Sequence, residues 1–148
     1  MVKTKIEVVR ELGKAMAELR IQFRQCIQGN LKIYDVGLTY EMIEVMSLLW
    51  QKDGINQQVI ADRTLRDKSS MTYLIDNLVK RSLVKRIPDE EDRRNNLIFL
   101  TEEGKHLHAE VKPWSSVLFE SSAAGLTVED LQAGIAILNK MSENLKVK

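Results

Sequence analysis

The chain has 148 residues, a formal net charge of +1, a single cysteine and an apolar share of 44%. That length suits one domain with a packed core, and so small a net charge argues against a generic polyanion binder. One cysteine excludes an internal disulfide framework and fits a reducing cytoplasm, while no apolar run approaches a membrane span and the opening MVKTKIEVVRELGK lacks a signal-peptide core.

The first element is a long helix over Lys3 to Gln28. Val9, Leu12, Met16, Leu19, Phe23 and Cys26 alternate by three and four, which makes a heptad-like seam that Val2, Ile6, Gly13 and Ile27 widen. Cys26 lies on this seam near the helix C-terminus. A redox-sensing thiol needs a cation, a hydroxyl or a helix N-terminus beside it, and Arg24, two residues away, points elsewhere. Burial is therefore expected for Cys26, with a redox switch as the alternative.

Asn56 caps a short helix, Gln57 to Thr64, with Val59, Ile60 and Leu65 turned inward. A turn of Leu65-Arg66-Asp67-Lys68 follows. Asp67 or Ser69 then starts a second helix, whose apolar stripe is Met71, Leu74, Ile75, Leu78 and Val79. Its other face carries Ser70, Tyr73, Asn77 and Lys80, with Thr72 and Asp76 at the margins. Leu83 to Ile87 and Leu97 to Leu100 suit strands. They flank a charged loop, Pro88 to Asn96, that contains Asp92-Arg93-Arg94. Short helix, brief turn, second helix and hairpin in this order make a winged helix-turn-helix.

Thr101 suits an N-cap, with Glu102 and Glu103 in the first turn of the helix it opens. That helix runs to Ala123, burying Leu107, Val111, Trp114 and Leu118, and Pro113 should kink it. Gly125 marks the next turn. Thr127-Val128-Glu129-Asp130 resembles a capping box, with Asp where Glu or Gln is usual. It leads a last helix with Leu131, Ile135, Leu138, Met141 and Leu145 on one face. The terminal helices are too apolar to lie bare. They either pack on each other within the chain or pair with a second copy, and pairing is expected, because two-fold symmetry doubles the base contacts of a single winged helix.

The middle of the chain resembles the MarR family of transcription regulators. The residues that carry the resemblance are Leu38-Thr39, Lys68-Ser69-Ser70-Met71-Thr72, Leu78 to Val84, Asp92-Arg93-Arg94 and Leu97 to Gly104, with Thr101 seven residues after Arg94. The chain departs from the family at Ser82, where glycine is usual, and serine carries a backbone cost if that position needs a positive φ. The resemblance implies a mainly α (α+β) fold of about six helices and one β-hairpin wing, in a single domain over 1–148. Dimerisation helices would occupy about 1–36 and 105–148, and the DNA-binding lobe about 37–104. It also implies that Asp92 braces Arg94.

The function expected is a cytoplasmic, homodimeric, sequence-specific transcription regulator, a ligand-responsive repressor on a palindromic operator in double-stranded DNA. Ser69, Ser70, Thr72 and Tyr73 are the expected base and phosphate contacts in the major groove, and Asn77 an amide reader. Lys68, Lys80 and Arg86 should hold phosphates. Arg94, with Arg93 beside it, should enter or flank the minor groove. Further cations gather at Arg63, Arg66, Arg81 and Lys85, and Asp89, Glu90, Glu91 and Asp92 interrupt the patch. Those acids favour the competing reading, a protein-interaction module without a specific DNA site.

Other chemistry is weakly represented. Glu102, His106 and Glu110 stand four apart and could approach a metal, but His108 faces another way and a solvated face is expected. No Ser-His-Asp set, Gly-rich phosphate loop or Cys-X-X-Cys motif is present, so neither an enzyme nor a cofactor is expected. The family resemblance implies a small lipophilic or aromatic effector. Tyr34, Met46, Trp50 and Trp114 either line its site or are plain core.

Overall fold

The computed structural model describes residues 1–147. They form α1 (Lys5–Ile33), α2 (Tyr40–Gln51), β1 (Ile55–Asn56), α3 (Gln57–Arg63), α4 (Lys68–Lys80), β2 (Val84–Pro88), β3 (Asn96–Leu100), α5 (Glu102–Ser122) and α6 (Val128–Leu145). The mainly helical winged helix-turn-helix is thus as expected. The wing belongs to a three-stranded antiparallel sheet of order β1-β3-β2 rather than to a lone hairpin. Ile98 faces Arg86 on one side and Ile55 on the other.

Side chains that satisfy orphan backbone amides start most of these helices. Thr39 accepts from the Met42 amide at 3.2 Å to open α2, and Thr101 accepts from the Gly104 amide at 3.1 Å to open α5. At α6 the Thr127 hydroxyl accepts from the Asp130 amide and the Asp130 carboxylate accepts from the Thr127 amide, at 3.0 and 2.9 Å. Aspartate therefore completes a full capping box. Thr4 and Glu7 make another at the start of α1, a pair the heptad reading passed over.

Helices α1, α3 and α4 end alike. In each, the second residue past the last helical one is left-handed and not glycine: Asp35 (φ 49°), Leu65 (φ 54°) and Ser82 (φ 61°). At α4 the Ser82 amide donates to the Val79 carbonyl and the Leu83 amide to the Leu78 carbonyl, at 2.9 and 3.1 Å. Serine thus adopts the conformation that glycine favours, and the turn into the wing keeps its helix-stopping hydrogen bonds.

The chain divides into two compact units, Met1–Pro113 and the segment from Trp114 onward. The core of the first is built from Val45, Met46 and Leu49 of α2, Ile60 of α3, Met71, Ile75 and Leu78 of α4 and Ile98 of β3. Val59 and Val79 are each 38% exposed, and Leu65 is 85% exposed. All three were expected inward, but the buried stripes are narrower than the apolar ones and the turn directs Leu65 to solvent. Leu107 is only half-buried, while Val111 is buried. Gly104 closes the lobe: a Cβ there would lie 2.2 Å from the Leu83 carbonyl oxygen, so α5 starts hard against the root of β2.

Helix α1 continues five residues beyond the expected end and buries only Leu31. Val9, Met16 and Leu19 on its seam are exposed. Cys26 is exposed too, which corrects the expectation of burial, while Leu12, Phe23 and Ile27 of the same seam are half-buried. Near its end, Arg24 pairs with Glu41 at 2.5 Å and lies over the Tyr40 ring at 4.8 Å. In the second unit, α5 runs on through Pro113 without a break, Trp114 is buried and Leu118 half-buried. Gly125 turns the chain at φ 82°. Helix α6 buries none of its residues, so Leu131, Ile135 and Leu138 present an open apolar face.

Candidate nucleic-acid interface

The helix-turn-helix is α3, the turn Thr64–Asp67, and α4. Asp67 accepts from the Ser70 amide at 2.7 Å and so caps α4. Hydrogen bonds from the Ser70 amide and hydroxyl hold the Asp67 carboxyl below its ordinary value. The cap leaves Lys68, Ser69 and Ser70 exposed on the first turn of α4. Tyr73 stands 70% exposed one turn on. Asn77 is half-buried, and its amide nitrogen donates to the Tyr73 carbonyl at 3.0 Å. Lys80 is exposed at the far end.

Thr72 and Arg86 are not free in the way that Lys68 and Tyr73 are. The Thr72 hydroxyl accepts from Gln57 Nε2 at 3.2 Å. Arg86 donates from Nε to Gln57 Oε1 at 3.1 Å and from Nη2 to the Thr72 carbonyl at 3.2 Å, and its Nη1 pairs with Asp76 at 2.6 Å. Strand alternation explains this: Val84 and Arg86 share the side of β2 that faces inward, while Lys85 and Ile87 are exposed. Arg66 likewise pairs with Glu44 at 3.2 Å, and Arg81 donates to the Gly37 carbonyl. Of the cations gathered along this stretch, Arg63, Lys68, Lys80, Lys85, Arg93 and Arg94 are exposed and, among the described residues, have no ion pair to another segment.

The wing tip is organised around Asp92. Its Oδ1 accepts from the Arg94 amide and from Arg94 Nε, both at 3.2 Å. Its Oδ2 accepts from Asn95 Nδ2 at 3.3 Å. Arg94 is thereby aimed, with its side chain 90% exposed. Asp89 accepts from the Glu91 amide at 3.0 Å. Two of the four acids therefore build the turn, and only Glu90 and Glu91 are left fully to solvent.

A cleft of about 300 Å³ runs between α3, α4 and the wing, lined by Lys68, Thr72, Arg86 and Arg94 together with Asp76, Asn56, Gln57, Gln58, Asn95 and Asn96. It brings four of the expected site residues together. Ser69, Ser70, Tyr73, Asn77, Lys80, Asp92 and Arg93 do not line it. The amide side chains on α3 and the wing were missed by the sequence reading. The position of Gln57 at the first turn of α3, beside its cap Asn56, was the available signal.

This arrangement has known counterparts. The sequence profile of the MarR family matches residues 38–95, which span α2 to the wing tip. A MarR transcriptional regulator from Methanosarcina mazei superposes with a TM-score of 0.75 at 30% identity, covering 91% of this chain and 96% of that one. The chain belongs to the MarR family. It is also similar to the transcriptional regulator HosA of Escherichia coli O157:H7, 26% identical over 130 residues, 87% of this chain and 95% of HosA. MepR of S. aureus, solved in a DNA-binding conformation, shares the fold with a TM-score of 0.81 at 24% identity, over 91% of this chain and 98% of MepR. This MarR-family protein is accordingly a winged-helix, DNA-binding transcription regulator, and the relatives matched are regulators rather than enzymes.

The remaining candidate sites fare differently. His108 is half-buried, its ring stacked on Trp50 with centroids 4.8 Å apart and planes 10° from parallel. His106 is exposed. Among the described residues no group of three His, Cys, Asp or Glu side chains converges, and no helix is long and apolar enough to cross a membrane. Met46 is fully buried core, Trp50 donates to the Gly104 carbonyl at 2.9 Å, and Tyr34 is exposed at the end of α1.

Proposed function

We propose that this MarR-family protein is a cytoplasmic, homodimeric repressor that reads a palindromic operator. The exposed first turns of α4 enter the major groove, with Lys68, Ser69, Ser70 and Tyr73 making base and phosphate contacts. Asn77 and Thr72 stand behind them, and Lys80 holds phosphate at the helix end. Arg94, braced by Asp92 and flanked by Arg93, reaches the minor groove. The single observation that carries this reading is the Asp92–Arg94 pair. Two hydrogen bonds from the guanidinium to Asp92, at 3.2 and 3.5 Å, give an otherwise exposed arginine a set direction, which a minor-groove reader needs.

Dimerisation is supported by the uncovered apolar faces of α1 and α6, which a second copy would remove from water. Two-fold pairing would set the recognition helices about 34–36 Å apart. A small lipophilic or aromatic ligand would regulate the dimer by changing that spacing. The test is selection of bound duplexes from a random DNA pool at two salt concentrations. Enrichment of a palindrome, with affinity falling steeply as salt rises, is the expected result. Salt-insensitive binding, or no enrichment at either concentration, would refute it and favour a protein-interaction module.

A further inference from the structure

We infer that Arg86 is a positioning residue: with Asp76, Thr72 and Gln57 it locks the wing to the recognition helix, so that both reach DNA as one rigid body. The inference rests on the reading of α4 and the wing as the DNA-contacting elements, and it reassigns a side chain that sequence position alone would give to phosphate. Each of the three guanidinium nitrogens donates to a different partner within the chain. Nε goes to the Gln57 side chain at the start of α3, Nη1 to Asp76 on α4, and Nη2 to the Thr72 backbone carbonyl on α4. Gln57 Nε2 then donates to the Thr72 hydroxyl and closes the ring. The ring ties β2 to both helices of the helix-turn-helix through one side chain.

Its place on the strand gives it leverage. Val84 is buried at the root of β2, Arg86 is the next residue on the same face, and Ile87 and Pro88 beyond it are exposed. Arg86 is thus the last residue of β2 whose side chain reaches the two helices, at the level where β3 pairs with the two-residue β1. The two-residue pairing with β1 holds β3 but makes no tie from β2 to α4, and two loosely connected elements lose orientational entropy when both must dock. A planar fork with three directed donors suits this task, whereas a lysine ammonium on a flexible stem does not.

Asp76 makes the inference testable by sign. If Arg86 simply attracted phosphate, Asp76→Asn would free a cation and remove a nearby negative charge, so DNA binding would tighten. If the ring positions the wing, Asp76→Asn weakens the selected duplex by about tenfold, a loss of one directed charge-assisted contact, while affinity for a scrambled duplex stays level or rises. Arg86→Lys keeps the charge and should lose the same discrimination with an unchanged salt slope. The combination of both should be no worse than either alone, because the two residues act through one ring.

A second measurement needs no DNA. Spin labels at Glu91→Cys and Asp62→Cys, in a Cys26→Ser background, report the distance between the wing tip and α3 in the whole protein. A narrow distribution that broadens on Asp76→Asn and on Arg86→Lys is expected. Tighter operator binding by Asp76→Asn, a salt slope reduced by about one in Arg86→Gln, or unchanged distance widths would overturn the inference. If the parent protein discriminated no duplex at all, the functional reading would fail, and the distance widths alone would still decide whether the ring locks the wing.

Discussion

Replacing Ser82 by glycine should make the protein more stable without altering how it binds DNA. Ser82 holds φ at +61°, a left-handed conformation that costs a residue with a Cβ about 1–2 kcal/mol. Glycine would remove that cost and introduce a smaller one, since the more flexible unfolded chain loses about 0.4–1 kcal/mol more on ordering. Nothing else is forfeited. The Ser82 hydroxyl has no hydrogen-bond partner among the described residues, and the bond that matters, from the Thr101 hydroxyl to the Ser82 carbonyl at 2.5 Å, uses the backbone. The net gain is about 0.5–1 kcal/mol. With a urea slope near 2 kcal/mol/M this moves the unfolding midpoint up by about 0.3–0.5 M. Ser82→Ala is the control, because alanine keeps the left-handed cost and should leave the midpoint where it is. Urea titrations of the three proteins at one concentration, followed by far-UV circular dichroism, decide the matter. A midpoint that falls in Ser82→Gly, or rises equally in Ser82→Ala, would refute the account of this turn.

Gly104→Ala should destabilise by at least about 2 kcal/mol in the same titration, because its Cβ would overlap the Leu83 backbone oxygen and only a shift of α5 against β2 relieves that; a midpoint within error of the parent would disprove the tight contact. The Asp67 cap predicts an acid-side dependence. Its folded value is depressed, so its contribution is complete above the ordinary value of 3.8 and is lost as pH falls through the folded one. Asp67→Asn should therefore flatten that part of the acid limb of stability, and an unchanged limb counts against the cap. Glu90→Gln and Glu91→Gln remove the solvent-facing acids of the wing and should each tighten operator binding about twofold at low salt, an effect that shrinks as salt screens it; weaker binding would show that these acids recognise something else. Arg94→Ala should weaken the selected duplex by about 1–3 kcal/mol in a titration by fluorescence anisotropy, and an unaltered affinity would mean the wing stays out of the groove.

The sequence revealed the elements whose periodicity a core enforces, and it was least informative where a contact partner lies far along the chain. The stripe on α4 was legible because four of its five residues meet the same core. Val79 was misread because spacing alone does not say how wide a buried stripe is. Strand β1, with only Ile55 and Asn56, exists through its pairing with Ile98 and Leu97, which no local pattern announces. Cys26 shows the converse: the seam on α1 was visible, but the spacing does not say which of its residues are covered, and Cys26 is exposed while Phe23 and Ile27 beside it are half-buried.

The basic patch shows how this applies to the site. Counting cations along the stretch treats every arginine as available to phosphate. Yet each arginine satisfied inside the protein has an acceptor well separated in sequence: Glu44 for Arg66, the Gly37 carbonyl for Arg81, Asp76 and Gln57 for Arg86. The exposed remainder needed no such partner, and it clusters at the start of α4, at the end of α4 and on the wing. For Arg86 the sequence did hold the clue, because it lies two residues after the buried Val84 on a strand whose side chains alternate. Reading that alternation before assigning charges to DNA separates the arginines held inside the lobe from those left exposed. In a chain of net charge +1 the count of cations is therefore a poorer guide than their pairing, since Arg66 and Arg86 are each neutralised by an acid of the same lobe.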